Sequence, residues 1–162
     1  DRVIGMHFFN PVHIMKLIEI IRSKDTSDET FKITEAVSHR MHKETVEVKE
    51  SAGFVTSRVN ALIGNEALRM WDAGIATPED IDKALKLGLN HPMGPFELVD
   101  LVGLDVRAAS LGNLHTHLGP TYEPSPTILA LVKAGRLGKK VGHGVYKYDA
   151  QGNRIPGSSS RP

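Results

Sequence analysis

Two polar residues stand inside otherwise oily segments near the start of the chain: His7 in "VIGMHFF" and Glu19 in "IMKLIEII". Both runs are rich in Ile, Val and Phe, with Asn10-Pro11 between them, a pattern that predicts two strands joined by a turn. An antiparallel hairpin centred near His13 sets residue 7 opposite residue 19, where Cβ atoms lie about 4.5–5.5 Å apart. A carboxylate so placed fixes the tautomer of an imidazole and stabilises its charged form. That is the arrangement of a general base with an orienting group behind it. The same spacing also suits a half-exposed hairpin carrying two solvated polar residues, and spacing alone leaves both open.

Other candidate groups are weaker. His115 and His117 form an H-x-H pair, but two apart on a helix is the wrong relation for chelation, so no metal site is expected. His39, His42 and His91 read as surface or turn residues, and His143 as a solvated loop residue. "GRLGKKVGHG" combines mobile backbone with fixed positive charge, which suits phosphates or a carboxamide-bearing cofactor, and equally a basic surface turn. Glu97 and Asp100, three apart on one helical face of "HPMGPFELVDLVGLD", read as structural.

These residues need elements to position them. After the hairpin, Ser27 can cap a helix with Asp28 and Glu29 in its first turn. Phe31, Ile33, Val37 and Met41 give that helix an imperfect apolar face. "ETVEVKE" alternates as a short third strand. Beyond residue 50 the pattern becomes helical. A long helix from Phe54 to Ala73 offers Val55, Val59, Leu62, Ile63, Leu68 and Trp71 as one broad buried face. Thr77 at the N-cap and Pro78 at N1 start the next helix. Further helices are expected from Pro95, over "LDVRAASLGNLHTHLG", and over "TILALVKAG", closed by Gly135. The tail "PGSSSRP" reads as disordered.

Composition bounds the function classes. With 20 Lys and Arg against 19 Asp and Glu, the net charge of +1 gives no basic field for nucleic acid or a membrane surface. There is no cysteine, hence no disulfide or thiolate chemistry, which fits a cytoplasmic protein. No apolar run approaches the ~20 residues of a membrane span. The chain starts almost directly on a strand without an initiator Met, as the end of a sheet begun elsewhere would.

Four stretches taken in order carry a resemblance: "GMHFFNPVHIMKLIEII", "SAGFVTSRVNALIGNEAL", "PEDIDKALKLGLNHPMGPFELVDLVGLD" and "GRLGKKVGHGVYKY". Together they resemble the 3-hydroxyacyl-CoA dehydrogenase family, its 3-hydroxybutyryl-CoA branch in particular, from residue 1 to about 149. The resemblance implies a mainly α chain. Residues 1–50 would be the end of an NAD-binding Rossmann domain, kept as a β-hairpin, helix and strand. Residues 51–149 would be the helical C-terminal domain, and 150–162 a tail. It implies His7 as the catalytic base and Glu19 as its partner. Asn10 would lie at the cofactor and acyl-CoA end of the cleft, and Lys140 would approach the nicotinamide cofactor. Ser57 stands where many members carry Asn against the substrate carbonyl; a serine reaches less far.

The glycine fingerprint for NAD does not occur in these 162 residues. The expectation is therefore an enzyme of NAD-dependent 3-hydroxyacyl-CoA oxidation whose 162-residue stretch alone is inactive and does not bind NAD tightly. Two rivals remain: a non-catalytic helical dimerisation module, and a sugar or hydroxyacid dehydrogenase relative sharing the helical domain. A homodimer through residues 54 to 118 is expected from the apolar surface there.

Overall fold

A computed structural model describes all 162 residues. The chain forms two compact units, Asp1–Ser57 and Arg58–Pro162, and is mainly helical with one small sheet. No helix is long and apolar enough to cross a membrane.

In the first unit, strands β1 (Gly5–Phe8) and β2 (Leu17–Arg22) pair antiparallel, and β2 pairs in parallel with β3 (Glu44–Lys49). The sheet order is β1-β2-β3. The central strand is buried on both faces, through Ile18 and Ile20 on one and Glu19 and Ile21 on the other. Double burial explains why "LIEII" shows no polar alternation. It also makes Glu19 an anomaly, because a carboxylate in such a strand must be fully satisfied.

Helix α1 (Asp28–Arg40) starts as its sequence suggests, with the Ser27 hydroxyl accepting from the Thr30 N–H at 3.2 Å. Its buried face is not the apolar one. Thr34 and Ser38 are buried, while Ile33, Val37 and Met41 are exposed. Each buried hydroxyl donates to the carbonyl four residues back, Thr34 to Thr30 and Ser38 to Thr34, both at 2.8 Å. Small, self-satisfied side chains therefore form this face, and an apolar-period reading misplaces it.

The second unit follows from α2 (Thr56–Asp72) through α3 (Pro78–Gly88), α4 (Pro95–Val102), α5 (Leu104–Leu118) and α6 (Pro126–Lys133). Short 3-10 turns occupy Pro120–Tyr122 and Lys139–Val141. The expected face of α2 is corrected in the same way as that of α1. Val55 and Val59 are 51% and 52% exposed, and the buried residues are Ala61, Gly64, Asn65, Ala67, Leu68 and Trp71. Trp71 meets Phe96 edge-on at 5.8 Å between ring centroids.

Two buried carboxylates organise this unit. Asp82 of α3 accepts from the N–H groups of Phe96 (2.8 Å) and Glu97 (3.3 Å), the exposed donors at the head of α4, and from the Tyr146 hydroxyl at 2.7 Å. Gly94 permits the approach: a Cβ there would lie 2.3 Å from the Asp82 carboxyl carbon. Asp100 of α4 accepts from the N–H groups of Val145 (2.8 Å) and Tyr146 (2.9 Å) and from the Tyr148 hydroxyl (3.0 Å). Burial pushes both pKa values up, that of Asp82 to about 6, and these hydrogen bonds pull part of the way back.

The last residues are held rather than loose. Arg136 donates to the carbonyls of Gly144, Ser160 and Arg161, the Ser159 hydroxyl donates to Glu79 at 2.7 Å, and Arg161 donates to the Trp71 carbonyl at 2.6 Å. The reading of "PGSSSRP" as disordered considers composition alone. It misses that a buried arginine collects the carbonyls of this segment.

Candidate active site

His7 and Glu19 are direct cross-strand partners in the β1–β2 register. Their side chains meet: His7 Nδ1 lies 2.6 Å from Glu19 Oε2. The His7 side chain is 29% exposed, whereas that of Glu19 is fully buried. The His7 ring is tilted against Phe9 at 4.7 Å and Phe54 at 5.5 Å between centroids.

Glu19 is held from a second side. Its Oε1 accepts from the Thr56 N–H at 2.9 Å and the Val55 N–H at 3.2 Å, and its Oε2 accepts from the Thr56 hydroxyl at 3.3 Å. Thr56 is the first residue of α2, a helix that has no side-chain N-cap of its own. Free N–H groups and the helix dipole make such a terminus a natural seat for an anion. Gly53 (φ 74°) and Phe54 (φ 48°) turn the chain into this position. A positive φ is uncommon for phenylalanine and costs on the order of 1–3 kcal/mol; it is met here beside a candidate site, where such conformations gather.

The electrostatics follow. Burial alone pushes the Glu19 pKa up. The His7 hydrogen bond, the Thr56 N–H, the His7 charge and the Thr56 hydroxyl more than offset it and leave the pKa below the ordinary carboxylate value. An ionised carboxylate only accepts, so Nδ1 of His7 is the donor. Nε2 is then the nitrogen whose lone pair can take a proton, and the arrangement is competent for general-base chemistry.

The other sequence-derived candidates are placed as follows. Asn10 is exposed in the turn after β1, next to a cis bond to Pro11. Ser57 is exposed at the second position of α2. Lys140 gives its ammonium to both Asp105 oxygens, at 2.6 and 2.7 Å, on the surface of the second unit. The glycines around Lys140 answer to packing: a Cβ on Gly138 would lie 2.3 Å from the Asp100 carbonyl oxygen, and one on Gly144 2.0 Å from Asp100 Oδ1. His143 is half-buried with its Nε2 unpartnered, not solvated as expected. No cluster of three metal-ligating side chains exists.

Sequence reasoning missed Thr56, Phe54 and the anchoring role of α2. The helix begins at Thr56, so the residue before it is Val55, which has no side-chain acceptor to cap it. A helix without a cap needs an acceptor from elsewhere, and Glu19 was the buried acceptor in need of donors.

Family models match both parts of the chain. The 3-hydroxyacyl-CoA dehydrogenase NAD binding domain matches residues 1–51, and the 3-hydroxyacyl-CoA dehydrogenase C-terminal domain matches residues 53–148. The chain belongs to the 3-hydroxyacyl-CoA dehydrogenase family. Among its relatives, the probable 3-hydroxybutyryl-CoA dehydrogenase of Bacillus subtilis is 49% identical over 150 residues, covering 92% of this chain and 52% of that protein. The human mitochondrial hydroxyacyl-coenzyme A dehydrogenase is 43% identical over 150 residues, covering 91% and 48%. The solved (S)-3-hydroxybutyryl-CoA dehydrogenase of Ralstonia eutropha superposes with a TM-score of 0.88 at 46% identity, covering 90% and 52%. The chain spans about half the length of the relatives it matches.

Proposed function

We propose that the chain supplies the proton-handling part of an NAD-dependent 3-hydroxyacyl-CoA dehydrogenase, acting in a polypeptide that joins it to a nucleotide-binding segment. The reading rests on one observation: the 2.6 Å bond from His7 to a buried Glu19 that is itself held by the head of α2. The reaction is oxidation of a 3-hydroxyacyl-CoA to a 3-oxoacyl-CoA. His7 Nε2 takes the proton of the 3-hydroxyl as the C3–O bond gains double-bond character. Glu19 keeps Nδ1 protonated and stabilises the imidazolium that forms. NAD supplies the hydride acceptor, and that chemistry belongs to the cofactor.

The residues of this chain that fit the ligands are few. Asn10, exposed after β1, offers both a donor and an acceptor to cofactor or acyl-CoA. Ser57 offers a hydroxyl to the substrate carbonyl. Lys140 would have to leave Asp105 to meet a cofactor. In this reading β1, β2, α1 and β3 are the last part of a Rossmann domain, residues 1–50, and the helical domain takes 51–149.

Exposed Val59, Leu101, Val102 and Val106 favour a homodimer through helices of the second unit. The absence of cysteine suits the cytoplasm.

The test is NADH formation from 3-hydroxybutyryl-CoA by the longest natural polypeptide containing this chain. His7→Ala should lower kcat about 10²–10⁴-fold, the usual contribution of a general base, with a smaller change in KM. Near-normal turnover in that variant removes the mechanism.

A further inference from the structure

Arg107, in the second turn of α5, is 4% exposed. Its Nε is buried without a hydrogen-bond partner. It takes part in none of the ion pairs of the chain, and burial, the sole influence on its guanidinium, lowers its pKa below the ordinary arginine value. The other buried charged side chains of this unit behave differently. Asp82 and Asp100 each accept three hydrogen bonds, and Arg136 collects four carbonyls.

Gly64 and Val99 lie beside Arg107. On α2, a Cβ added to Gly64 would lie 3.9 Å from Arg107 Nε and 2.9 Å from Val99 Cγ2. The arginine thus lies against the helix where the side chain is missing, beside a valine. Its chain neighbour Val106 is exposed, as are Leu101 and Val102 just before.

A guanidinium largely withdrawn from water, with its Nε enclosed and unpartnered, is costly to hold. A lysine escapes by losing its proton, but a guanidinium stays charged. The terminal nitrogens of Arg107 are not enclosed and make no hydrogen bond within the chain, so they are open to an acceptor from outside. The guanidinium is a planar fork of donors, matched in shape to a carboxylate or phosphate edge.

We propose that Arg107 is an oxyanion receptor, completed by a carboxylate or phosphate oxygen brought from outside these 162 residues. Two sources share this chemistry: a free small anion, or a carboxylate on a second copy of the chain. The inference makes no use of the proposed activity.

Thermal unfolding separates the sources. Inorganic phosphate or acetate replaces chloride at fixed pH and ionic strength, and light scattering gives the mass of the same samples. Wild type is compared with Arg107→Met, which keeps the length without the charge, and with Arg107→Gln. A saturable rise in Tm for wild type that both variants lose establishes a small-anion site. A wild-type dimer that both variants turn into monomers establishes a carboxylate from the second copy. Wild type and variants sharing one mass and one anion dependence overturn the proposal, and Arg107 is then only a frustrated buried charge.

Discussion

Replacing Glu19 with Gln keeps the side-chain shape and removes one proton acceptor, so it tests the candidate site at its centre. The amide oxygen can still serve the Thr56 and Val55 N–H groups, which now meet Glu19 Oε1 at 2.9 and 3.2 Å. The amide nitrogen then faces His7 Nδ1, 2.6 Å from the present Oε2. Two donors cannot share that contact, so Nδ1 must become the acceptor and the ring proton must move to Nε2. The cost has two parts. A hydrogen bond to a charged group is worth about 1.5–3 kcal/mol against about 0.5–1.5 for a neutral one. Loss of the anion at the head of α2 adds about 0.3–1 kcal/mol. The 3.2 and 3.3 Å contacts weigh little, so the sum is roughly 2 kcal/mol. Urea unfolding should show a lower midpoint at unchanged slope. Ring-nitrogen NMR of labelled histidine should show protonation of His7 moving from Nδ1 to Nε2. A variant that keeps Nδ1 protonated, or loses less than about 0.5 kcal/mol, refutes the reasoning.

Proline is ordinarily welcome at the first position of a helix. Thr56→Pro should nonetheless destabilise by more than about 1 kcal/mol in urea unfolding, because it removes the N–H that Glu19 accepts. Gly144→Ala should cost about 3 kcal/mol or more, since its Cβ would fall 2.0 Å from Asp100 Oδ1. In contrast, Gly112→Ala within α5 meets nothing within 4 Å and should stabilise by about 0.5–1 kcal/mol; calorimetry on the pair checks both. Asp82 gives a pH dependence of definite sign. Its folded pKa of about 6 lies above the ordinary 3.8, so the folded state holds the extra proton and stability falls as pH rises between those values, by roughly 3 kcal/mol in all. Asp82→Asn should flatten the Tm profile between about pH 4 and 6 relative to wild type. Glu19, with its lowered pKa, acts oppositely: its contribution is present above the ordinary carboxylate value and lost as pH falls below it.

The facing of His7 and Glu19 was legible only in part: register is arithmetic once the turn is centred on residue 13, but spacing does not fix that centre. Helix starts at Ser27 and Thr77 were legible because a capping hydroxyl acts within three residues of itself. What escaped was set by distant partners. The buried face of α1 is made by self-bonded side chains, and that of α2 adds small residues and Asn65 to the expected Leu68 and Trp71, so apolar spacing shows only part of it. Glu19 meets Thr56 across 37 positions and Asp82 meets Tyr146 across 64, so no window along the chain contains both halves. The tail was misread for the same reason, since Arg136, 24 residues earlier, holds Ser160.

Those spans have a consequence in time. Asp100 finds its amide donors and its tyrosine hydroxyl only at residues 145 to 148, and Asp82, already served by the Phe96 and Glu97 N–H groups, finds its tyrosine hydroxyl there. On the ribosome, α3 and α4 are made well before these donors exist. Until the last stretch emerges, Asp100 lacks all three of its donors and must stay hydrated, and Asp82 lacks one of its three. The second unit therefore matures late, and a polypeptide cut at Ala134 should be taken by proteases as an unfinished chain.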